Sequence, residues 1–231
     1  MNGITRQLCR WHMLFLLSFF LPIQNSFAIP LIQEVYYDAS GSDSPETFTE
    51  LYGDAGFNLS GWQLIGINGS TGLAYRTVTL INAIIPSDGI FVISTVSANA
   101  TLSLVSDFSA NIDWQNGPDA VQLTDPFGLV IDAIQYGAIP GFNFGEGDSA
   151  LDTMAGTSLS RRYAGNDTNN NLTDFEVLST PTPGSVRLPP LSQNLSTDLP
   201  TPNSALLMII ALLVISIFKT SSENFPLRTS P

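Results

Sequence analysis

Cysteine and histidine are nearly missing from this 231-residue chain, which has one of each, Cys9 and His12. Basic residues are scarce as well, with 8 Lys and Arg against 20 Asp and Glu. Arg6 and Arg10 precede the apolar run MLFLLSFFLPI, and Ser26-Phe27-Ala28 then supplies small residues. That order of charged, apolar and small residues predicts a secretory signal over residues 1–28, with cleavage after Ala28. A chain starting at Ile29 has no thiol and no imidazole. It holds no disulfide, no Cys/His zinc site, no Ser-His-Asp triad and no thiol nucleophile, so an apolar core must hold it together.

The charge imbalance excludes a second class. Setting aside Glu223 leaves 19 acids over residues 29–198, and setting aside Arg6, Arg10, Lys219 and Arg228 leaves 4 bases, a balance of about −15. A nucleic-acid backbone is repelled by such a field, because its binders replace counterions with Lys and Arg. No nucleic-acid partner is expected. A divalent cation suits the field, and so does the plain solubility of an acidic surface.

Near the other end, residues 204–218 read SALLMIIALLVISIF without a polar face, followed by Lys219. This predicts a transmembrane or sorting helix over 203–219, preceded by a Pro/Ser/Asn-rich linker at 185–202 and followed by a cytoplasmic tail at 220–231. The segment LPTPNS, the short apolar run and the basic residue after it resemble PEP-CTERM sorting tails of Gram-negative bacteria. Thr201 stands where that motif carries Glu, and the usual arginine cluster is reduced to Lys219. Sorting and plain anchoring both remain open, and both imply an exported domain. It would stand on the periplasmic face of the inner membrane, or at the cell surface after processing.

Between these ends lies one domain by length, 29–184. Seven stretches rich in Val, Ile, Thr and aromatics, at 31–38, 47–53, 61–69, 74–81, 89–95, 119–125 and 128–137, are separated by Gly, Pro, Asn, Asp and Ser. They predict an all-β, antiparallel β-sandwich. Residues 97–112 are compatible with a helical turn or an edge strand. In TFTELYG, Phe48, Glu50 and Tyr52 share one face, and Glu50 is expected to point outward into solvent.

Taken in order, IQEVYYD, FTELYG, DAGFNLSGWQLIG, IIPSDGIFVIS, NGPDAVQLTDPFGLVIDAIQYG, GTSLSRRYAGNDTNNNLTDF and PTPG resemble the lamin tail domain family in its bacterial secreted form, over 31–184. Two departures are Gly53-Asp54, where the family often has Asn, and the acidic insertion DASGSDSPE in the first hairpin. The resemblance implies an immunoglobulin-like fold and a non-catalytic interaction module. Its partners would be surface proteins or extracellular polymer, with the membrane reached through the C-terminal helix.

Several residues are candidates for a site. Trp62 is expected in the core. Trp114, in the polar string NIDWQNGPD, is the candidate for an exposed, sugar-stacking aromatic, with Tyr136 and Tyr75 behind it. No cofactor is expected beyond possible Ca²⁺, for which Asp167, Asn169, Asn171 and Asp174 offer alternating oxygens in a turn. The same pattern also suits side chains that close turns through the local backbone. The DASGSDS insertion is a second Ca²⁺ option. Arg161 and Arg162 are expected to pair with nearby acids on the surface. A carbohydrate-binding module and a carboxylate-only hydrolase are the alternative functions.

Overall fold

The structure is a computed structural model, and it describes residues 28–190. The signal, linker, membrane-helix and tail expectations fall outside those residues, except for the cleavage point and the first residues of the linker. Among the described residues no helix is long and apolar enough to cross a membrane.

The domain is all-β, with ten strands in two sheets. The strands are β1 (Leu31–Tyr36), β2 (Phe48–Tyr52), β3 (Gln63–Asn68), β4 (Ala74–Thr79) and β5 (Ile90–Thr95), then β6 (Phe108–Ala110), β7 (Asp119–Thr124), β8 (Val130–Tyr136), β9 (Ser158–Arg161) and β10 (Phe175–Leu178). One sheet has the order β10-β9-β1-β2-β5-β6 and the other β4-β3-β7-β8. All pairs are antiparallel except β5 with β6. The seven expected strands all form. The ambiguous 97–112 stretch holds both a one-turn helix, α1 (Ala100–Ser103), capped by Asn99, and the short β6. A second one-turn helix, α2 (Asn171–Asp174), lies between β9 and β10.

The core forms where the inner faces of the sheets meet, around Ile32, Leu51, Leu64, Val121, Ile134 and Leu159. Trp114 is wedged there and only 1 % exposed. Its indole N–H donates to Thr49 Oγ1 of β2 at 2.8 Å. A Cβ on Gly66 of β3 would stand 3.0 Å from the Trp114 ring and 2.6 Å from the Tyr75 ring. Glycine at 66 therefore makes the hollow that both rings fill. This corrects the expectation that Trp114 is exposed: the polar string around it is a crossing segment whose two large apolar side chains, Ile112 and Trp114, turn inward. Tyr136 is also buried, stacked on Tyr37 with ring centroids 4.2 Å apart.

Each outer face is covered in part. On the four-stranded sheet, Ile67 and Ala120 lie beneath Phe142 of the 138–147 loop. On the six-stranded sheet, the segment after β10 runs back as a strap over β1 and β2.

Thr49→Val is isosteric but leaves the Trp114 N–H buried without an acceptor. It is expected to lower stability by about 1–3 kcal/mol in urea unfolding, with an unchanged slope.

Candidate functional site

Two clusters of buried charge stand out, and both begin at β1. The pairing of β1 with β2 shifts register between Ile32 and Glu34, so that Ile32 faces Leu51 while Glu34 faces Glu50. The extra residue, Gln33, makes a bulge that turns Glu34 away from the core and onto the outer face beside Glu50. Neither carboxylate reaches solvent. Glu50 was expected to be solvated, and the strap is what closes over it.

The strap satisfies these acids with backbone and hydroxyl groups. Thr182 donates its N–H to Glu34 Oε1 at 2.9 Å and its hydroxyl to Oε2 at 2.7 Å, while Ser158 Oγ donates to Oε1 at 2.6 Å. Gly184 N donates to Glu50 Oε2 at 2.7 Å, and Glu50 Oε1 is buried without a partner. Burial raises the Glu34 carboxyl above its ordinary range, and its hydrogen bonds pull it back. Glu50 is pushed up to about 8, first by burial and then by negative Glu34, Asp88 and Asp107, against the Gly184 N–H. Like charges directly opposite on neighbouring strands repel, so Glu50 keeps its proton at neutral pH and Glu34 serves as the acceptor.

The second cluster surrounds Arg161, whose side chain is fully buried rather than on the surface. Its Nη2 donates to both oxygens of Asp132 at 3.0 Å, and its Nε donates to the Ile32 carbonyl at 3.1 Å. Asp132 Oδ2 in turn accepts the Ile32 N–H. Nη1 donates to the Asn166 carbonyl and lies 3.4 Å from both Asp167 and Asp174, while the guanidinium carbon sits 4.7 Å over the Phe175 ring. Burial raises the Asp132 carboxyl, and the Arg161 charge and the Ile32 N–H lower it. Glu146 is pushed up to about 8, first by burial and then by negative Asp132 and Asp167. Arg162, by contrast, is exposed beside Glu176, where such pairs contribute little.

The four oxygens expected to gather round Ca²⁺ are divided among other tasks. Asp167 Oδ1 accepts Asn169 N, and Asn169, at φ 54, is exposed. Asn171 points the opposite way, against the edge of β8. Its Nδ2 donates to the Ala133 carbonyl, and its Oδ1 accepts Gln135 N and Glu146 N. Asp174 accepts Thr168 N and Thr168 Oγ1. The oxygens that do converge belong to Asp132, Glu146 and Asp167, within 4.8 Å of one another. There the Arg161 guanidinium already supplies the positive charge. In the DASGSDS insertion, Asp43 Oδ1 accepts Ala39 N and closes its own turn.

Sequence reasoning missed Glu34, Asp132 and Glu146, and it read Glu50 as a solvated surface acid. The available signals were acids set inside apolar runs, Glu34 in LIQEVYY and Asp132 in LVIDAIQY. No protein-family model matches this chain, and no curated protein or solved structure matches it.

Arg161→Met leaves Asp132 buried and unpaired. It is expected to destabilise the domain by about 3–5 kcal/mol in denaturant unfolding. Because Arg161 holds the cationic position, millimolar Ca²⁺ added to chelator-treated protein is expected to leave Tm unchanged. Between about pH 4.5, where the carboxyl titrates in the unfolded chain, and about 8, folded Glu50 binds a proton that unfolded Glu50 has lost. Stability therefore falls as pH rises through that window and levels off above it. Tm is expected to be higher near pH 5.5 than near pH 8.5, with a shallower fall in Glu50→Gln, as read by thermal unfolding across the series.

Proposed function

We propose that this chain is an exported, non-catalytic interaction module of the lamin tail domain type. It has an immunoglobulin-like sandwich and is anchored or sorted through residues 203–219, and its partners are surface proteins or extracellular polymer. The observation that carries the reading is that three perturbed carboxylates, Glu34, Glu50 and Asp132, are closed off from solvent. Glu34 and Glu50 are closed beneath the strap. Asp132 is fully buried, with its oxygens taken by Arg161, Ile32 N and Ala133 N. A carboxylate pair that works on a glycoside needs open faces toward substrate and water, and these acids bind the chain's own backbone instead. The order of the seven resembling segments and their span over 31–184 support the family reading. The apolar run at 204–218 supports the anchor.

The carbohydrate alternative loses its main support, because its stacking candidates Trp114 and Tyr136 are both buried. Sugar recognition would then fall to a surface aromatic that was not a candidate, such as the exposed Phe127 in the turn between β7 and β8.

Fractionating cells that express the chain with and without residues 199–231, and weighing the products, tests export and anchoring. The full chain is expected in the membrane or surface fraction with residues 1–28 removed. An uncleaved cytoplasmic chain would overturn that reading. Cross-linking at the cell surface is expected to capture a surface protein or polymer, whereas a hydrolytic activity abolished by Glu146→Gln would overturn the non-catalytic one.

A further inference from the structure

The strap that covers Glu34 and Glu50 is a short recognisable motif, Pro181-Thr182-Pro183-Gly184-Ser185-Val186. Each residue has a defined role. Pro181 and Pro183 line a small pocket with Tyr36, Phe48, Thr101 and Leu102. The Tyr36 and Phe48 rings stand 5.9 Å apart and form the aromatic wall of that pocket. Thr182 gives Glu34 its N–H and hydroxyl, and Gly184 gives Glu50 its N–H. Ser185 N closes a turn onto the Thr182 carbonyl at 3.0 Å, with Pro183 second and Gly184 third, at φ 78. Proline followed by a residue of positive φ is the signature of a type II turn, in which Asn is the accepted substitute for Gly. Val186 packs against the core below.

The chain carries this motif twice. Residues 200–205 read Pro200-Thr201-Pro202-Asn203-Ser204-Ala205, with the same Pro-Thr-Pro, the same Ser, Asn in place of Gly and a smaller apolar residue in place of Val. Each feature that the surface recognises is repeated: two rings for the aromatic pocket, one N–H and one hydroxyl for Glu34, and a turn residue whose N–H meets Glu50. A Cβ at position 184 would lie 3.3 Å from Val105 Cβ, so an Asn there requires Val105 to yield by a few tenths of an ångström. Val105 is partly exposed and has room to do so.

We propose that the Glu34–Glu50 face is a receptor for the Pro-Thr-Pro-Gly/Asn-Ser turn, and that its second occupant is the 200–205 segment of a neighbouring copy of this chain. When docked, 203–205 are given up to the turn and the apolar helix then begins at Leu206. The chain's own strap holds the site closed at the high effective concentration of an intramolecular segment, so exchange between copies follows strap release. The mode is proline recognition by aromatic side chains, with two buried acids reading the residues between and after the prolines. This names a partner for the interaction module proposed above and rests on that reading. A failed peptide titration would leave the fractionation and cross-linking results standing, so the two are separable.

A labelled peptide spanning residues 197–205 is titrated, by fluorescence anisotropy, onto the full chain in detergent. Thr182→Ala combined with Thr201→Ala removes the hydroxyl that each resident motif offers Glu34 and so weakens both, and this variant is expected to bind the peptide at least about tenfold more tightly than the wild type. Adding Glu34→Gln is expected to remove that gain. A peptide carrying Thr201→Ala is expected not to bind, which keeps the test intact if the Glu34 variant fails to fold. Thr182→Ala alone is expected to self-associate with rising concentration in light scattering, and to lose that association when Thr201→Ala is added. Equal peptide affinity for wild type and double variant would overturn the receptor. A single variant that stays monomeric while excluding the peptide would overturn the neighbouring copy as occupant.

Discussion

The sandwich is closed by one ion pair placed where a β-ladder stops. The β1–β9 pairing ends at Glu34 with Ser160, and Ile32 lies just beyond it. Its N–H and C=O would be buried without partners were it not for Asp132 and Arg161, which take one each. Asp132 belongs to the four-stranded sheet and Arg161 to the six-stranded one, so the same two side chains also tie the layers together. A buried ion pair alone is weak evidence of stability, since desolvation offsets its attraction. Here the pair also serves as a substitute strand edge for a backbone that cannot be left bare.

The register shift that creates this need also creates the outer acidic face. By inserting Gln33, β1 changes which side of the sheet Glu34 occupies, and sets it opposite Glu50. Two carboxyl groups in that position are tolerated because one is protonated and the other receives three hydrogen bonds. The strap is thus the structural answer to a conflict set up 148 residues earlier in the chain. The Asn-rich turn answers a different one: Asn171 imitates a strand's peptide group and pairs with the free edge of β8, which protects that edge from pairing elsewhere.

The alternation of apolar and polar residues made seven strands and the all-β class legible in the sequence, because strand periodicity is local. What was not legible depended on distant partners. That 158–184 closes the domain, with Leu159 and Phe175 docked on the sandwich, was legible, but its division into β9 and β10 was not, because each is too short to alternate. Trp114 sits in a string of polar residues, and only Gly66, nearly fifty positions away, makes room for it. Glu50 looked solvated because the segment that buries it follows the last strand. Asp167, Asn171 and Asp174 did look like oxygen ligands, and their oxygens are used. The groups they meet are backbone amides and a guanidinium, which sequence spacing cannot distinguish from a metal ion.

The route of the strap also decides how the domain carries mechanical load. A pull on the chain beyond residue 190 first meets the bond between the Arg187 carbonyl and Ala164 N, and then the bonds of Gly184 and Thr182. Those anchor points lie on β1 and β2, the two central strands of the six-stranded sheet. Force therefore enters the sheet at its middle, where three ladders share it, and not at the edge strand β10, which would unzip one bond at a time. The strap is a sacrificial link that can yield before any strand leaves its sheet.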